Sequence, residues 1–213
     1  MSVQLFPNGA GTIVETFNPV ANTYNGGGTS TAERQVVSVA DGGKATYSAT
    51  YTGQSVGTAA TTAVFGLAGS ATKVVRLLQL IVNATIATAG EEYDFSLQKE
   101  TALPTGGTKA TTATVIPWDS SDGAGTALPL FYTATPTDGT LTGVVLVTKL
   151  SAFLATATTV QPPTTPYVFN FGNQPGAKGL VLRGATQAII ATLNAATPAH
   201  ASSWSVTMIW TEE

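Results

Sequence analysis

From about Ala45 onward the chain is a series of short runs in which apolar and polar residues alternate, separated by Gly, Pro, Asn and Asp. Glu92 to Lys99 is the clearest: Tyr93, Phe95 and Leu97 fall on one side, and Asp94, Ser96 and Gln98 on the other. A period of two is that of a half-buried β-strand. Ser203 to Thr211 repeats it, placing Trp204, Val206, Met208 and Trp210 on one face, a stripe of core character. Thr46–Tyr51, closed by Gly53, and Thr111–Trp118, Leu128–Thr133, Val168–Phe171, Gly179–Arg183 and Gln187–Asn194 are further strand candidates. Val74–Thr85, with Leu78, Leu80 and Val82 on one extended face, and Thr142–Ala155 are long strand candidates. Val74–Thr88 and Val144–Thr156 are also long enough for helices, and Leu77, Leu78 and Ile81 fit a helical face. Their β-branched content and flanking Gly and Pro favour strands.

Eight to ten strands without alternating helices exclude βαβ architectures and predict an all-β fold. The pattern suggests a two-sheet sandwich or barrel over residues 45–213. A jelly-roll-like antiparallel sandwich fits the strand spacing best, with an immunoglobulin-like sandwich or a fibre module as alternatives that the pattern does not separate. Residues 1–44 differ. Pro7, Asn8-Gly9, Asn18-Pro19 and Gly26-Gly27-Gly28 break up short apolar pieces, and only Val36–Val39 has the character of a strand start. This segment is expected to be an extended N-terminal arm, with Leu5, Phe6, Ile13, Val14 and Phe17 as its contacts to a neighbouring subunit.

Composition turns this pattern toward contact and away from chemistry. Only 10% of the 213 residues are charged, against about 25% in ordinary domains. The net charge is −3 and the mean hydropathy +0.20. A soluble monomer usually carries more surface charge, so much of this surface is expected to meet protein. The nine Lys and Arg residues are scattered along the sequence, which gives no nucleic-acid footprint. No run approaches the roughly 20 apolar residues of a membrane span. The start, Met1 to Pro7, has no signal-peptide pattern, so synthesis in a cytoplasm is expected.

Candidate catalytic groups are few. With no cysteine and one histidine, His200, there is no basis for a thiolate or histidine metal site, and no serine sits in a nucleophile elbow. His200 reads as a loop residue. Asp119-Ser120-Ser121-Asp122-Gly123 has part of a calcium-loop pattern but lacks its remaining oxygens and closing glutamate, and turn chemistry accounts for it equally. Glu91-Glu92 are strand neighbours pointing apart, and Glu212-Glu213 read as a solvated end. Trp118 reads as a strand-end core residue, with a sugar-stacking platform as the alternative. The triple glycine lacks the Lys and Ser/Thr of a phosphate loop. The expectation is a non-enzymatic protein with no catalytic, cofactor or metal residues.

Six stretches occur in an order that resembles a group of small structural proteins of tailed bacteriophages. They are Ala71–Arg76, Thr105–Thr108, Ile116–Ser120, Tyr132–Pro136, Leu180–Gln187 and Ile209–Glu213. The resemblance covers about residues 60 to 213 and leaves the arm out. It implies a jelly-roll cement or decoration protein, often trimeric, on the outside of a virion capsid, with the major capsid protein as partner and no role for nucleic acid or membrane. The competing expectation is a tail, baseplate or fibre component that contacts the host surface through a glycan or receptor.

Overall fold

The computed structural model describes residues 6–8, 12–14, 44–56, 62–86, 91–110, 113–154, 165–172, 178–195 and 202–213. The chain divides into two compact units, Met1–Val39 and Ala40–Glu213. In the first, β1 (Phe6–Asn8) pairs antiparallel with β2 (Thr12–Val14), with Phe6 opposite Val14. The punctuation of residues 1–44 predicts no strand before Val36, whereas the structure has this hairpin; Asn8-Gly9 followed by β-branched Thr12-Ile13-Val14 accounts for it. Leu5, Phe17 and Val36–Val39 lie outside the described residues.

The second unit is an all-β sandwich. Its first sheet is built on β3 (Ala45–Val56), β14 (Ser202–Glu212) and β5 (Val74–Ile86), in that order. The far side of β5 is covered in succession by β12 (Leu180–Arg183), β11 (Tyr167–Asn170) and the last residues of β10 (Leu141–Leu154). The second sheet runs β9 (Leu128–Ala134), β4 (Thr62–Ala68), β13 (Ala188–Ala195), β6 (Glu91–Glu100), β10. Several successive strands cross between the sheets (β3 to β4, β5 to β6, β13 to β14), a jelly-roll-like arrangement of the sandwich. Between β6 and β10 an insertion adds β7 (Thr108–Lys109) beside β9, and β8 (Val115–Pro117) beside β3.

Alternation puts one side chain in two between the sheets. Tyr93, Phe95 and Leu97 of β6 face Trp204, Val206, Met208 and Trp210 of β14, all buried as the pattern required. Trp204 meets Tyr93 edge-on, ring centres 5.2 Å apart, and Phe95 stacks on Phe169 of the opposite sheet at 5.4 Å. A smaller apolar cluster of Ala63, Ala68, Leu130, Tyr132, Ala188 and Ile190 is covered by Leu103 of the insertion.

Three expectations change at bulges and in small-residue runs. Gly53 does not end β3; its φ of +82° forms a bulge opposite Trp204–Ser205, and the strand continues to Val56. In β5 the ladder slips one residue between Gln79 and Leu77, which moves Leu78 off the core face and buries Val75 and Leu77 together with Leu80, Val82 and Ala84. A one-residue slip exchanges the two faces of a strand. Strand β4 was not anticipated, because Ala63, Gly66 and Ala68 weaken its alternation. Gly66 is required there: a β-carbon would run into the Ile189 carbonyl oxygen of the paired strand. Thr111–Trp118 contributes only the three residues of β8 to the described strands.

Candidate functional site

One buried carboxylate adds to the β8–β3 ladder in holding the insertion to the sandwich. Strand β14 runs on to Glu212, and a neighbouring bulge leaves Trp210, Thr211 and Glu212 all buried. The Glu212 carboxylate accepts from the Thr126 amide at 2.8 Å, the Thr126 hydroxyl at 2.7 Å, the Ala127 amide at 2.9 Å and Trp210 Nε1 at 3.1 Å. The Lys73 ammonium stands 3.5 Å away. Burial works to raise its pKa, but these donors outweigh it and hold the carboxyl below the usual range. Glu213 is engaged by both Arg76 and Lys44, and the Arg76 fork, then Lys44, pulls its carboxyl down to about 2. Glu212 is therefore no solvated end, whereas Glu213 is exposed and ion-paired. Ending the sequence in two acids hid the fact that their strand is central and ladder-paired on both sides.

A second buried carboxyl has the opposite character. Glu100, 1% exposed, lies at the end of β6, and neither of its oxygens has a hydrogen bond of good geometry. Burial pushes its pKa up, the charge of Asp138 adds to this, and the Gly139 amide offsets part of it. Burial likewise pushes the adjacent Tyr132 hydroxyl up to about 12, with Glu100 contributing. A carboxyl with a raised folded pKa stabilises the fold in acid, and that stability is lost as pH climbs from the ordinary carboxyl range through the folded value. Glu100→Gln should therefore be more stable than the wild type by about 1 kcal/mol at pH 8 and nearly equal to it at pH 4. Urea midpoints at the two pH values check this; equal midpoints at both would remove Glu100 as a source of pH dependence.

The residues singled out for chemistry do not converge. His200 lies outside the described residues. Asp119 accepts the Ser121 amide at 2.8 Å and the Ser121 hydroxyl at 2.7 Å, so its oxygen serves its own turn, and these bonds lower its pKa. Glu92 is exposed on β6. Among the described residues no three His, Asp or Glu side chains gather as metal ligands. No helix of the described residues is long and apolar enough to cross a membrane.

Two features emerge only from the tertiary structure. The first is the distribution of exposed large apolar side chains. Leu141, Val144, Val145 and Val147 lie along β10, Val168 on β11, Ile116 on β8, Trp118 just beyond it and Leu128 at the start of β9. Among the described residues every one is on, or adjoins, a strand at or near a sheet edge, and none is on the central strands. Trp118 is 62% exposed and is no core residue: β8 is an edge strand of three residues, and its Ile116 and Trp118 face outward. On β10 the Ser151 amide points away from β6 and donates to Tyr167 Oη at 2.9 Å. Ladder alternation places the main-chain groups of Val147 and Lys149 on that same side, the outer edge of the sheet.

The second is electrostatic. Arg76, Lys99, Lys178 and Arg183, scattered in the sequence, line one cleft with Val181 and Gln187. The β12–β5 ladder brings Arg76 opposite Val181, and Lys99 reaches across from the second sheet to the Val181 carbonyl at 2.9 Å.

No family model matches this chain, and no curated protein or solved structure matches it.

Proposed function

We propose that this protein is a non-enzymatic structural component of a bacteriophage virion, a jelly-roll cement protein that binds the outer surface of the capsid and braces its joints. The observation that carries the reading is the confinement, among the described residues, of exposed large apolar side chains to the sheet edges, above all the row on β10. Exposed strand edges with apolar side chains are sites of association unless they are guarded. On β10 the guards are sparse: two bulges and Lys149, whose charge is shared with Asp94 at 2.8 Å. The low charge content supports the same role, because each unpaired charge desolvated at a joint is costly. An interface of standard size buries about 1,600 Å², and repetition over a shell multiplies modest individual contacts. The ordered resemblance to phage structural proteins agrees with this reading, and the major capsid protein is the proposed partner of a homo-oligomer, a trimer by that resemblance.

The deciding measurement is the copy number of this chain per purified particle, relative to the major capsid protein. A fixed ratio comparable to the shell protein supports the cement role, and a handful of copies transfers the protein to the tail or fibre. Val147→Asp, an exposed substitution, should weaken attachment to capsids by at least about tenfold without lowering thermal stability. Deleting residues 1–44, with Leu5, Phe6, Ile13, Val14 and Phe17, should abolish attachment and leave the sandwich folded. A truncated protein that decorates particles normally would remove the arm from the mechanism.

A further inference from the structure

The basic cleft has a chemistry that the structural role does not use. It measures about 380 Å³ and sits where the β12–β13 turn meets the end of β6. Its lining is one-sided in hydrogen-bonding character. The Lys178 carbonyl accepts from Arg76 Nη1 at 3.2 Å, the Val181 carbonyl accepts from Lys99, and Gln187 Oε1 accepts from the Arg183 amide at 2.8 Å. Three acceptors at the rim are thus each engaged by a donor of the protein. With its oxygen held, Gln187 is left with its amide –NH₂ to offer, alongside the ammonium groups of Lys99 and Lys178 and the Arg183 guanidinium.

The charge balance points the same way. Among the described residues Lys99, Lys178 and Arg183 form no ion pair, whereas Arg76 is matched by Glu213. Three uncompensated cations thus converge on one cleft of a protein whose net charge is −3. Lys99 is half-buried and held by its bond to Val181, so one of the three charges is fixed in position before any ligand arrives. Donors without free acceptors suit a ligand that only accepts, and several cations suit a dianion better than a single carboxylate. The volume lies at the lower end of small-molecule sites, about 300 to 1,000 Å³, which fits a compact ligand.

We propose that this cleft, lined by Lys99, Lys178, Arg183 and Gln187, binds a phosphate group, either as the free ion or as the phosphoryl end of a small ester. The site lies in the sandwich and is independent of the cement role; either stands if the other fails.

The test uses the full-length protein, titrated with sodium phosphate against sodium chloride at matched ionic strength and followed by thermal unfolding and calorimetry. A saturable rise in Tm with phosphate, absent with chloride, is the expected result. Arg183→Gln and Lys178→Gln, both at exposed positions, should each weaken the apparent phosphate affinity by about tenfold or more. Lys149→Gln, on exposed β10, should leave it unchanged. A parallel titration with glucose 6-phosphate separates the sources: tighter binding than inorganic phosphate assigns an ester, and equal binding assigns the free ion. The proposal is overturned if phosphate acts no differently from chloride, or if the Arg183→Gln/Lys178→Gln double variant binds phosphate as the wild type does.

Discussion

Replacing Glu212 by alanine is expected to destabilise the sandwich by about 4 kcal/mol, because it removes the shared acceptor of two buried donors, the Ala127 amide and Trp210 Nε1, and two part-buried ones from Thr126. In its absence the Thr126 and Ala127 amides, the Thr126 hydroxyl and the Trp210 indole N–H lose their common partner, and Lys73 loses its counter-charge. Each buried donor left unsatisfied costs about 1–3 kcal/mol, so water entering the space recovers only part of the loss. The effect carries a pH signature. The folded pKa of Glu212 is depressed, so its contribution is complete above the ordinary carboxyl range and fades as pH falls through the folded value. The gap between wild type and variant in urea should therefore be widest near neutrality and narrow in acid. A gap that does not change from pH 7 to pH 3 would show that the side chain matters by its shape alone. Its sign is opposite to that of Glu100, whose ionisation weakens the fold as pH rises.

Trp204→Ala should cost about 3–5 kcal/mol, the range for deleting a large buried aromatic. Trp204 is fully buried, lies between the sheets with its ring edge-on to Tyr93, and donates to the Ser202 hydroxyl at 2.6 Å. Its removal opens a cavity at the contact between β14 and β6, and the ladders on both sides of β14 limit how far the strand can move to fill it. Trp204→Phe keeps most of the volume and should cost less than half as much, while orphaning only the Ser202 contact. Denaturant unfolding of the two variants checks the ordering. If alanine costs no more than phenylalanine, the two sheets do not depend on this contact. Both predictions concern the fold, and they supply the stability reference for the capsid and phosphate experiments above.

Much of the fold was present in the sequence because burial between two sheets writes itself into alternate residues. Tyr93, Phe95 and Leu97, and the stripe from Trp204 to Trp210, specify both their strands and their buried faces. The β-branched, Gly- and Pro-punctuated pattern was enough for the all-β class, with the two helix-length segments read as strands. Where the phase breaks, at Leu78 or Gly53, the sequence could not say so, because a bulge is defined by the partner strand's register. Strand β4 escaped for a related reason: its small residues fit the close approach of β13, which is a property of the pair.

The functional surfaces divide in the same way. A composition poor in charge and a single histidine directed attention to contact, and that much is local information. Tertiary structure decided that Glu212 is a buried anchor, that Trp118 is exposed, and that the exposed apolar side chains sit at sheet edges. It also decided that Arg76, Lys99, Lys178 and Arg183 meet in one cleft. Alternation assigns a residue to one face of its strand, whereas strand order and register between distant segments decide what that face meets.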